Sequence, residues 1–209
     1  MKLKQLVLGV TTSLLAFSAF AQQFSPALGV EGGWASIDQA SRARSNAQLI
    51  ADATSRTTTY TYDKGTYAGR FFLAVPVAKD FEIEAGYFMT GSLDTRYTNS
   101  AGSVTESYEA SGFDLGVVIK PAALNGFYLK AGMHRSEVEG SAQVTIGGTT
   151  VSITESQSGS GWLFGGGYEW QVGSAKDLLA RVSYTFYNKL GGMSDGDAGV
   201  FAIGIMKRF

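Results

Sequence analysis

The chain ends on Phe201-Ala202-Ile203-Gly204-Ile205-Met206-Lys207-Arg208-Phe209, where large apolar residues alternate with small or polar ones. Successive side chains of a β-strand point to opposite faces. The stretch therefore predicts a strand with one apolar face, made of Phe201, Ile203, Ile205 and Phe209. Such a strand is suited to the boundary between an apolar and a polar environment.

The amino terminus has the three parts of a secretory signal peptide. Lys2 and Lys4 supply the positive charge, residues 6–20 are mostly apolar, and Ala19-Phe20-Ala21 is a small-residue cleavage site. We expect cleavage after residue 21. The mature chain, residues 22–209, is then 188 residues long, enough for one domain.

Composition narrows the possible classes of protein. The predicted mature chain has 15 basic and 18 acidic residues, so nucleic acid is not expected as a partner. Cysteine is absent, which excludes disulfides and thiolate metal sites. No apolar run of about eighteen residues follows the signal peptide, so the only membrane-spanning structure expected is a closed barrel.

Eight segments alternate with a period of two over about the ten residues that a tilted strand needs to cross an outer membrane. They are residues 27–37, 67–75, 81–90, 109–120, 127–135, 162–172, 178–187 and 201–209. The segment 81–90 is typical, because Phe81, Ile83 and Ala85 alternate with Glu82, Glu84 and Gly86.

The connections between these segments alternate in length. Residues 76–80, 121–126 and 173–177 form short turns, whereas 38–59, 91–107, 137–159 and 188–198 are longer and polar. Short periplasmic turns and long external loops are typical of outer-membrane barrels, so both chain ends are expected in the periplasm. Within the third long connection, 142–146 and 149–153 flank Gly147-Gly148 and predict a hairpin extending the fifth and sixth strands.

These patterns predict an all-β fold, a closed eight-stranded antiparallel up-and-down barrel that spans the outer membrane. Trp162 and Trp170 lie eight residues apart on one face. At roughly 3.3 Å per residue and a tilt near 40°, the pair spans about 20 Å, comparable with the apolar band of such barrels. The predicted aromatic girdle comprises Trp34, Tyr87, Trp162, Tyr168, Trp170 and Tyr184.

Charged residues fall on the face of the same strands opposite to the apolar residues. We expect this face to point away from lipid, because Arg or Lys facing lipid near the midplane costs about 2 to 4 kcal/mol. The predicted interior polar network is Glu31, Arg70, Glu82, Glu84, Asp114, Lys120, Lys130, His134, Glu169 and Arg181, with Arg208 near its end. Eight strands enclose little more than their own side chains, so we expect a packed interior of ion pairs. A gated ion path or a ligand site is the alternative.

Three stretches resemble the small outer-membrane barrels of the OmpA-like and OmpX-like family: residues 165–170, 128–135 and 203–209. The resemblance implies insertion by the barrel-assembly machinery through a carboxy-terminal signal, here Phe201, Ile203, Ile205 and Phe209. It also implies loops that meet host or environmental surfaces. Lys207 departs from the family pattern, in which this position is often aromatic, although its long stem can reach the interface.

Two further motifs are candidate sites of chemistry. His134-Arg135-Ser136 resembles the His-x-Ser arrangement of outer-membrane lipid A deacylases, but parity turns both residues inward and no oxyanion-hole donor is identifiable. Asp195 and Asp197 are placed to contact calcium, although a Gly-Asp turn is the commoner explanation. We therefore expect no catalytic residue, no cofactor and no metal.

The expected role is structural and surface-presenting, in the outer membrane of a Gram-negative bacterium. A narrow porin-like channel and an adhesin acting through the loops are the alternatives. Expected partners are outer-membrane lipid and lipopolysaccharide, the assembly machinery during insertion, and host or environmental surfaces reached by the loops.

Overall fold

The computed structural model of the protein describes residues 25–37, 40–173, 177–194 and 196–209. The predicted signal peptide and Asp195 lie outside the described residues. None of the helices in these ranges is long and apolar enough to cross a membrane.

The described residues form ten β-strands and one α-helix, with two short 3₁₀ turns at Ala122–Leu124 and Leu190–Gly192. In chain order these elements are β1 (Ala27–Ile37), α1 (Ala40–Thr54), β2 (Thr59–Tyr62), β3 (Gly65–Ala78), β4 (Phe81–Thr90), β5 (Leu93–Asn99), β6 (Gly102–Ile119), β7 (Phe127–Ile146), β8 (Thr149–Gln171), β9 (Leu178–Tyr187) and β10 (Ala198–Arg208).

Eight of the strands form a ring-like antiparallel sheet in the order β1, β3, β4, β6, β7, β8, β9 and β10. The first and last strands pair from Ala27 with Arg208 to Ile37 with Ala198. The pairing of β6 with β7 joins the two halves of the order. These strands overlap all eight segments predicted from alternation.

The strands expose apolar side chains and bury charged ones, the reverse of a water-soluble protein. On β4, Phe81 and Ile83 are 43% and 39% exposed, whereas Glu82 and Glu84 are 6% and 0% exposed. The same inversion occurs on β6, where Phe113 and Leu115 are exposed and Asp114 is buried. The period of two therefore separates an apolar outer wall from a polar interior.

The interior also contains two apolar clusters. Near the long connections, Phe88, Val138, Leu163, Tyr187 and Leu190 pack together. Near the short turns, Phe72, Leu179 and Met206 pack with two alanines. The charged residues described below therefore share the interior with two packed apolar clusters, one toward the long connections and one toward the short turns.

Two of the predicted loops contain regular structure that alternation did not reveal. Residues 38–59 contain α1, and β2 begins at Thr59 within them, whereas 91–107 contain β5 and the start of β6. The strands β2 and β5 pair with each other, and β5 pairs with residues 102–108 of β6. Four-residue β2 is too short to give a clear periodic signal.

The predicted hairpin is confirmed and is longer than expected. β7 and β8 pair without interruption from Phe127 with Tyr168 to Ile146 with Thr149. Gly147 and Gly148 both have positive φ, the conformation that a two-residue hairpin turn requires. Together with β2, β5 and the start of β6, this hairpin extends past the ring. We call residues 59–62, 93–99, 102–108, 140–146 and 149–157 the distal sheet.

Candidate functional site

The most distinctive site is a cluster of charged side chains on the inner wall of the ring. They come from all eight strands of the ring and from Lys120, which directly follows β6, so no single segment of sequence contains the site. Two pairs lie directly opposite each other on neighbouring strands, Glu31 with Arg70 and Glu169 with Arg181. The remaining contacts join residues that are not directly opposite each other, either at neighbouring strands, as for Lys120 with Glu82, or across the lumen, as for Arg181 with Glu84.

Arg70 connects three carboxylates on three different strands. Its Nε and Nη2 atoms donate to the two Asp114 oxygens at 2.8 and 2.7 Å, a bidentate arrangement. Its Nη1 donates to Glu84 at 3.1 Å and to Glu31 at 3.3 Å. A Cβ atom at Gly86 would lie 2.7 Å from Arg70 Nε, so glycine there leaves room for the guanidinium.

Arg181 is the second centre of the cluster and is 1% exposed. It donates to Glu84 Oε1 at 2.7 Å through Nη2 and to Glu169 Oε1 at 2.9 Å through Nε. A second, very short contact joins Nη2 to Glu169. The Arg181 guanidinium also lies 4.7 Å from the ring centroids of Phe72 and Tyr128, so aromatic faces cover the charge where carboxylates do not.

The cluster continues to the short-turn end of the ring. Lys120 Nζ donates to Glu82 at 2.5 Å and to Glu169 at 2.8 Å. Arg208 Nη2 reaches the other oxygen of Glu82 at 3.3 Å. A continuous series of ion pairs therefore runs from Arg208 to Arg70 and Asp114.

The inward charges balance. Five carboxylates face five cations, Arg70, Lys120, Lys130, Arg181 and Arg208. Lys130 is buried but lies within 4.0 Å of no carboxylate among the described residues. It contributes charge, whereas the other four cations also hold specific oxygens.

Little space remains around the middle of the cluster, whereas a space of about 500 Å³ lies at its short-turn end beside Glu82, Lys120 and Arg208. A cavity of about 20 Å³ lies beside Glu31, Arg70 and Tyr187, room for about one water molecule. Another, of about 30 Å³, lies higher, between Tyr108, Leu190 and Met193.

His134 and Ser136 face inward and contact the connection between β9 and β10. The Nε2 atom of His134 lies 2.8 Å from the Asn188 carbonyl oxygen, so that nitrogen is the donor. Ser136 Oγ accepts the Gly191 N–H at 2.9 Å. No hydrogen bond joins the two side chains within the described part of the chain, and their contacts hold a backbone loop in place.

Asp197 also stabilises this connection. One of its oxygens accepts the Asn188 amide at 2.9 Å and the Lys189 backbone N–H at 3.0 Å. Across the described ranges, no group of three or more His, Asp or Glu is arranged to hold a metal ion.

The outer wall carries the six residues of the predicted girdle. Trp34, Trp162, Trp170 and Tyr184 are 41% to 55% exposed, while Tyr87 and Tyr168 are partly covered. Tyr87 contacts Phe113 at a centroid distance of 5.0 Å, and Tyr168 stacks on Trp170 at 6.0 Å. At the end of β10, the outward Lys207 lies 5.9 Å from the Phe209 ring.

Above the ring, α1 packs on the distal sheet. Ala43 and Ala47 are buried, and Asn46 Nδ2 donates to Glu106 at 3.3 Å. Glu106 also accepts the hydroxyls of Tyr97 and Tyr108, each at 3.3 Å. Burial, and next the Glu106 charge, raises the pKa of Tyr97 to about 12 and also raises the pKa of Tyr108.

Sequence reasoning missed these α1 contacts and several uncharged members of the interior. Ala43, Ala47 and Ile50 recur at helical spacing, which is the signal that predicts α1. Inward parity on β9 also identifies Ser183, which donates to Glu31 at 3.2 Å, and Tyr187, which donates to Asp114 at 3.4 Å.

Comparison with known proteins places the chain in a family. The model of the OmpA-like transmembrane domain matches residues 25–209, and the protein belongs to this family of outer-membrane transmembrane β-barrels. A search of curated proteins found no match.

Solved structures match the chain at low identity. Ail, the attachment invasion locus protein of Yersinia pestis, solved with a heparin analogue, is 12% identical with a TM-score of 0.49 over 88% of this chain and 99% of its own. Neisserial surface protein A is 15% identical with a TM-score of 0.40, covering 88% and 99%. OprG of Pseudomonas aeruginosa is 10% identical with a TM-score of 0.41, covering 89% and 97%.

The first prediction compares two buried cations. Arg181→Met should lower the free energy of unfolding by about 3 to 5 kcal/mol, because Glu84 and Glu169 each lose one of their two cationic partners. Lys130→Met removes the same charge and no ion pair, so its effect should be smaller. Urea unfolding in lipid vesicles, followed by tryptophan fluorescence, measures both. The double variant Arg181→Met with Glu169→Gln should recover part of the loss, and equal losses for all three variants would contradict the paired network.

A second prediction concerns Tyr97 and pH. Because the folded state raises the pKa of Tyr97 to about 12, it favours the neutral phenol, and this contribution to stability is lost as the pH rises from about 10 to 12. The difference in phenolate absorbance between the parent and Tyr97→Phe should titrate near pH 12. Glu106→Gln should lower that midpoint. A parent midpoint near 10 would show that the phenol is not held by this contact.

Proposed function

We propose that the ring is a closed barrel that crosses the membrane. Starting at Tyr168, successive cross-strand partners return to the same strand ten residues earlier, through Val182, Ile203, Gly32, Gly69, Met89, Ser111, Glu137 and Ser158. A stagger of ten residues at about 3.3 Å, across eight strands about 4.8 Å apart, corresponds to a tilt of about 40°. This value is typical of closed barrels.

We infer the orientation from the two ends. The short turns and both termini lie in the periplasm, after removal of a signal peptide of residues 1–21, and the distal sheet lies outside the cell. The apolar outer wall contacts membrane lipid. Phe201, Ile203 and Ile205 on β10, and Phe209 directly after it, are exposed, which supports their role as the signal read by the barrel-assembly machinery.

The function that the geometry supports best is structural: a rigid barrel that holds the distal sheet at the cell surface and contacts the surrounding lipopolysaccharide. The balanced network of buried ion pairs carries this proposal. Four of its five cations, Arg70, Lys120, Arg181 and Arg208, each bind at least one carboxylate. The cavity beside Arg70 has room for about one water molecule. Such an interior stabilises a fixed wall and leaves no path for ions.

The proposal includes the absence of catalysis. His134 and Ser136 are both buried; Nε2 of His134 bonds Asn188 and Oγ of Ser136 bonds Gly191, away from the lipid that a lipid A deacylase must reach.

Planar-bilayer recording tests the closed interior against the narrow channel. The purified protein should insert without a steady conductance, and the charge-neutral double variant Arg181→Met with Glu169→Gln should behave alike, because bulky side chains still fill the lumen. A steady, ion-selective current from the parent that the double variant abolishes would contradict the proposal and establish the channel instead.

Attachment to a surface is the second candidate, favoured by the projection of β7 and β8 past the ring. Removing residues 142–146 and 149–153 keeps Gly147-Gly148 as the turn, so the ring should still fold. Folding is checked by gel electrophoresis, in which the unheated protein should migrate differently from the heated protein. Attachment of cells carrying this variant is then compared with that of cells carrying the parent. A reduction with equal surface levels supports the adhesin, and unchanged attachment leaves the structural role alone.

A further inference from the structure

A trough of about 350 Å³ lies on the inner face of the distal sheet, above the mouth of the ring. Its floor is the β7 row Val138, Gly140 and Ala142, and Met193 from the connection between β9 and β10 lies at one side. This volume falls in the range of small-ligand sites. The proposed structural role makes no use of the trough.

The strand register gives the trough its shape. Gly140 pairs with Tyr108 on one side and with Glu155 on the other, while Ala142 pairs with Glu106 and Ile153. A row of small residues is therefore flanked by two rows of large ones. A Cβ atom at Gly140 would lie 3.1 Å from the Tyr108 ring, so a side chain there would crowd the trough.

The walls carry negative charge. Glu106 and Glu155 both line the trough, and the described lining residues include no Lys, Arg or His. The contacts of Glu106 come from neutral donors, Asn46, Tyr97 and Tyr108, and no cation among the described residues lies within ion-pair distance of it. Glu155 is exposed and has no hydrogen bond to a described side chain. Two carboxylates thus face a space without a counter-charge in the lining.

The remaining lining residues are suited to contact the alkyl stem of an organic cation. Ala142, Ile153 and Val138 present methyl groups, and Tyr108 presents an aromatic ring. That ring already contacts one cation of the protein, because the Arg42 guanidinium carbon lies 5.3 Å from its centroid. Alkyl stems with a charged end favour such mixed surfaces.

We propose that this trough binds an organic cation that has an alkyl stem and a terminal ammonium or guanidinium group. The stem lies along Gly140 and Ala142, and the charged end lies between Glu106 and Glu155. The same chemistry is presented by a free diamine and by a Lys or Arg side chain of a peptide. The site lies outside the ring and does not depend on whether the barrel conducts.

The experiment uses the folded protein in detergent micelles and follows the backbone amide signals of Gly140 and Ala142 by NMR. The probes are 1,5-diaminopentane, N-acetyl-lysine methylamide and, as the neutral control, 1-pentanol. Both amines should shift these signals in a saturable way and pentanol should not. A tighter diamine identifies a free amine as the ligand, whereas a tighter lysine amide identifies a peptide side chain.

Charge variants locate the site. Glu155→Gln should weaken amine binding about fivefold, the effect of one exposed ion pair, and it breaks no hydrogen bond that holds α1. Glu139→Gln is the matched control, because this exposed carboxylate lies close by on the neighbouring strand β7, with its side chain on the opposite face of the sheet. Gly140→Leu should abolish binding by filling the floor.

Three results would overturn the proposal: no saturable shift with either amine, equal shifts with pentanol, or equal weakening by Glu139→Gln and Glu155→Gln. The last would reveal a diffuse attraction of cations to an acidic surface. Because Glu155→Gln leaves the contacts of Glu106 intact, loss of binding in this variant is not attributable to detachment of α1.

Discussion

Every strand of the ring depends on one constraint: main-chain N–H and C=O groups in a lipid bilayer have no water to bond. Each group that stays unpaired there costs several kcal/mol, so a sheet with a free edge is excluded. Pairing between β1 and β10, the two ends of the described chain, follows from this requirement. The exposed apolar wall and the buried charges are consequences, because each strand has one face toward lipid and one toward the lumen.

The lumen then has its own requirement. Charges cannot face lipid, yet buried charges are costly unless each is paired and hydrogen-bonded. Arg70 and Arg181 meet this requirement by sharing Glu84, whose two oxygens receive one guanidinium each. The Phe72 ring centroid lies 4.8 Å from the Arg70 guanidinium and 4.7 Å from that of Arg181, so one aromatic ring contacts both cations. The network thus fixes which side chains fill the centre and leaves little room for water.

The distal sheet, which we propose lies outside the membrane, is not subject to this constraint. In the hairpin of β7 and β8, Val144 and Val151 are opposite each other on the inner face, whereas Gln143 and Ser152 are opposite each other on the outer face. At these positions the inner face is therefore apolar and the outer face is polar. Free strand edges are permitted in water, so β2 and the start of β8 end the sheet without a further partner among the described strands. This freedom allows helix α1 to cover part of the inner face and leaves the trough open beside it.

The sequence by itself determined the parts of this protein that repeat locally. Alternation along 81–90 or 109–120 shows which side chains face lipid, and therefore that Glu84 and Asp114 point inward, because the period of a strand is a property of its backbone alone. Glycine at 147 and 148 likewise identifies the turn. Only the tertiary structure decided which charges meet. Arg181 reaches Glu84 across 97 positions of sequence, and Lys130 reaches no carboxylate of the described ranges although its parity is the same. These contacts depend on the stagger between neighbouring strands, which accumulates around the ring, and on the length of each side chain. The position of α1 depends on a sheet surface that exists only after β2, β5 and β6 have paired.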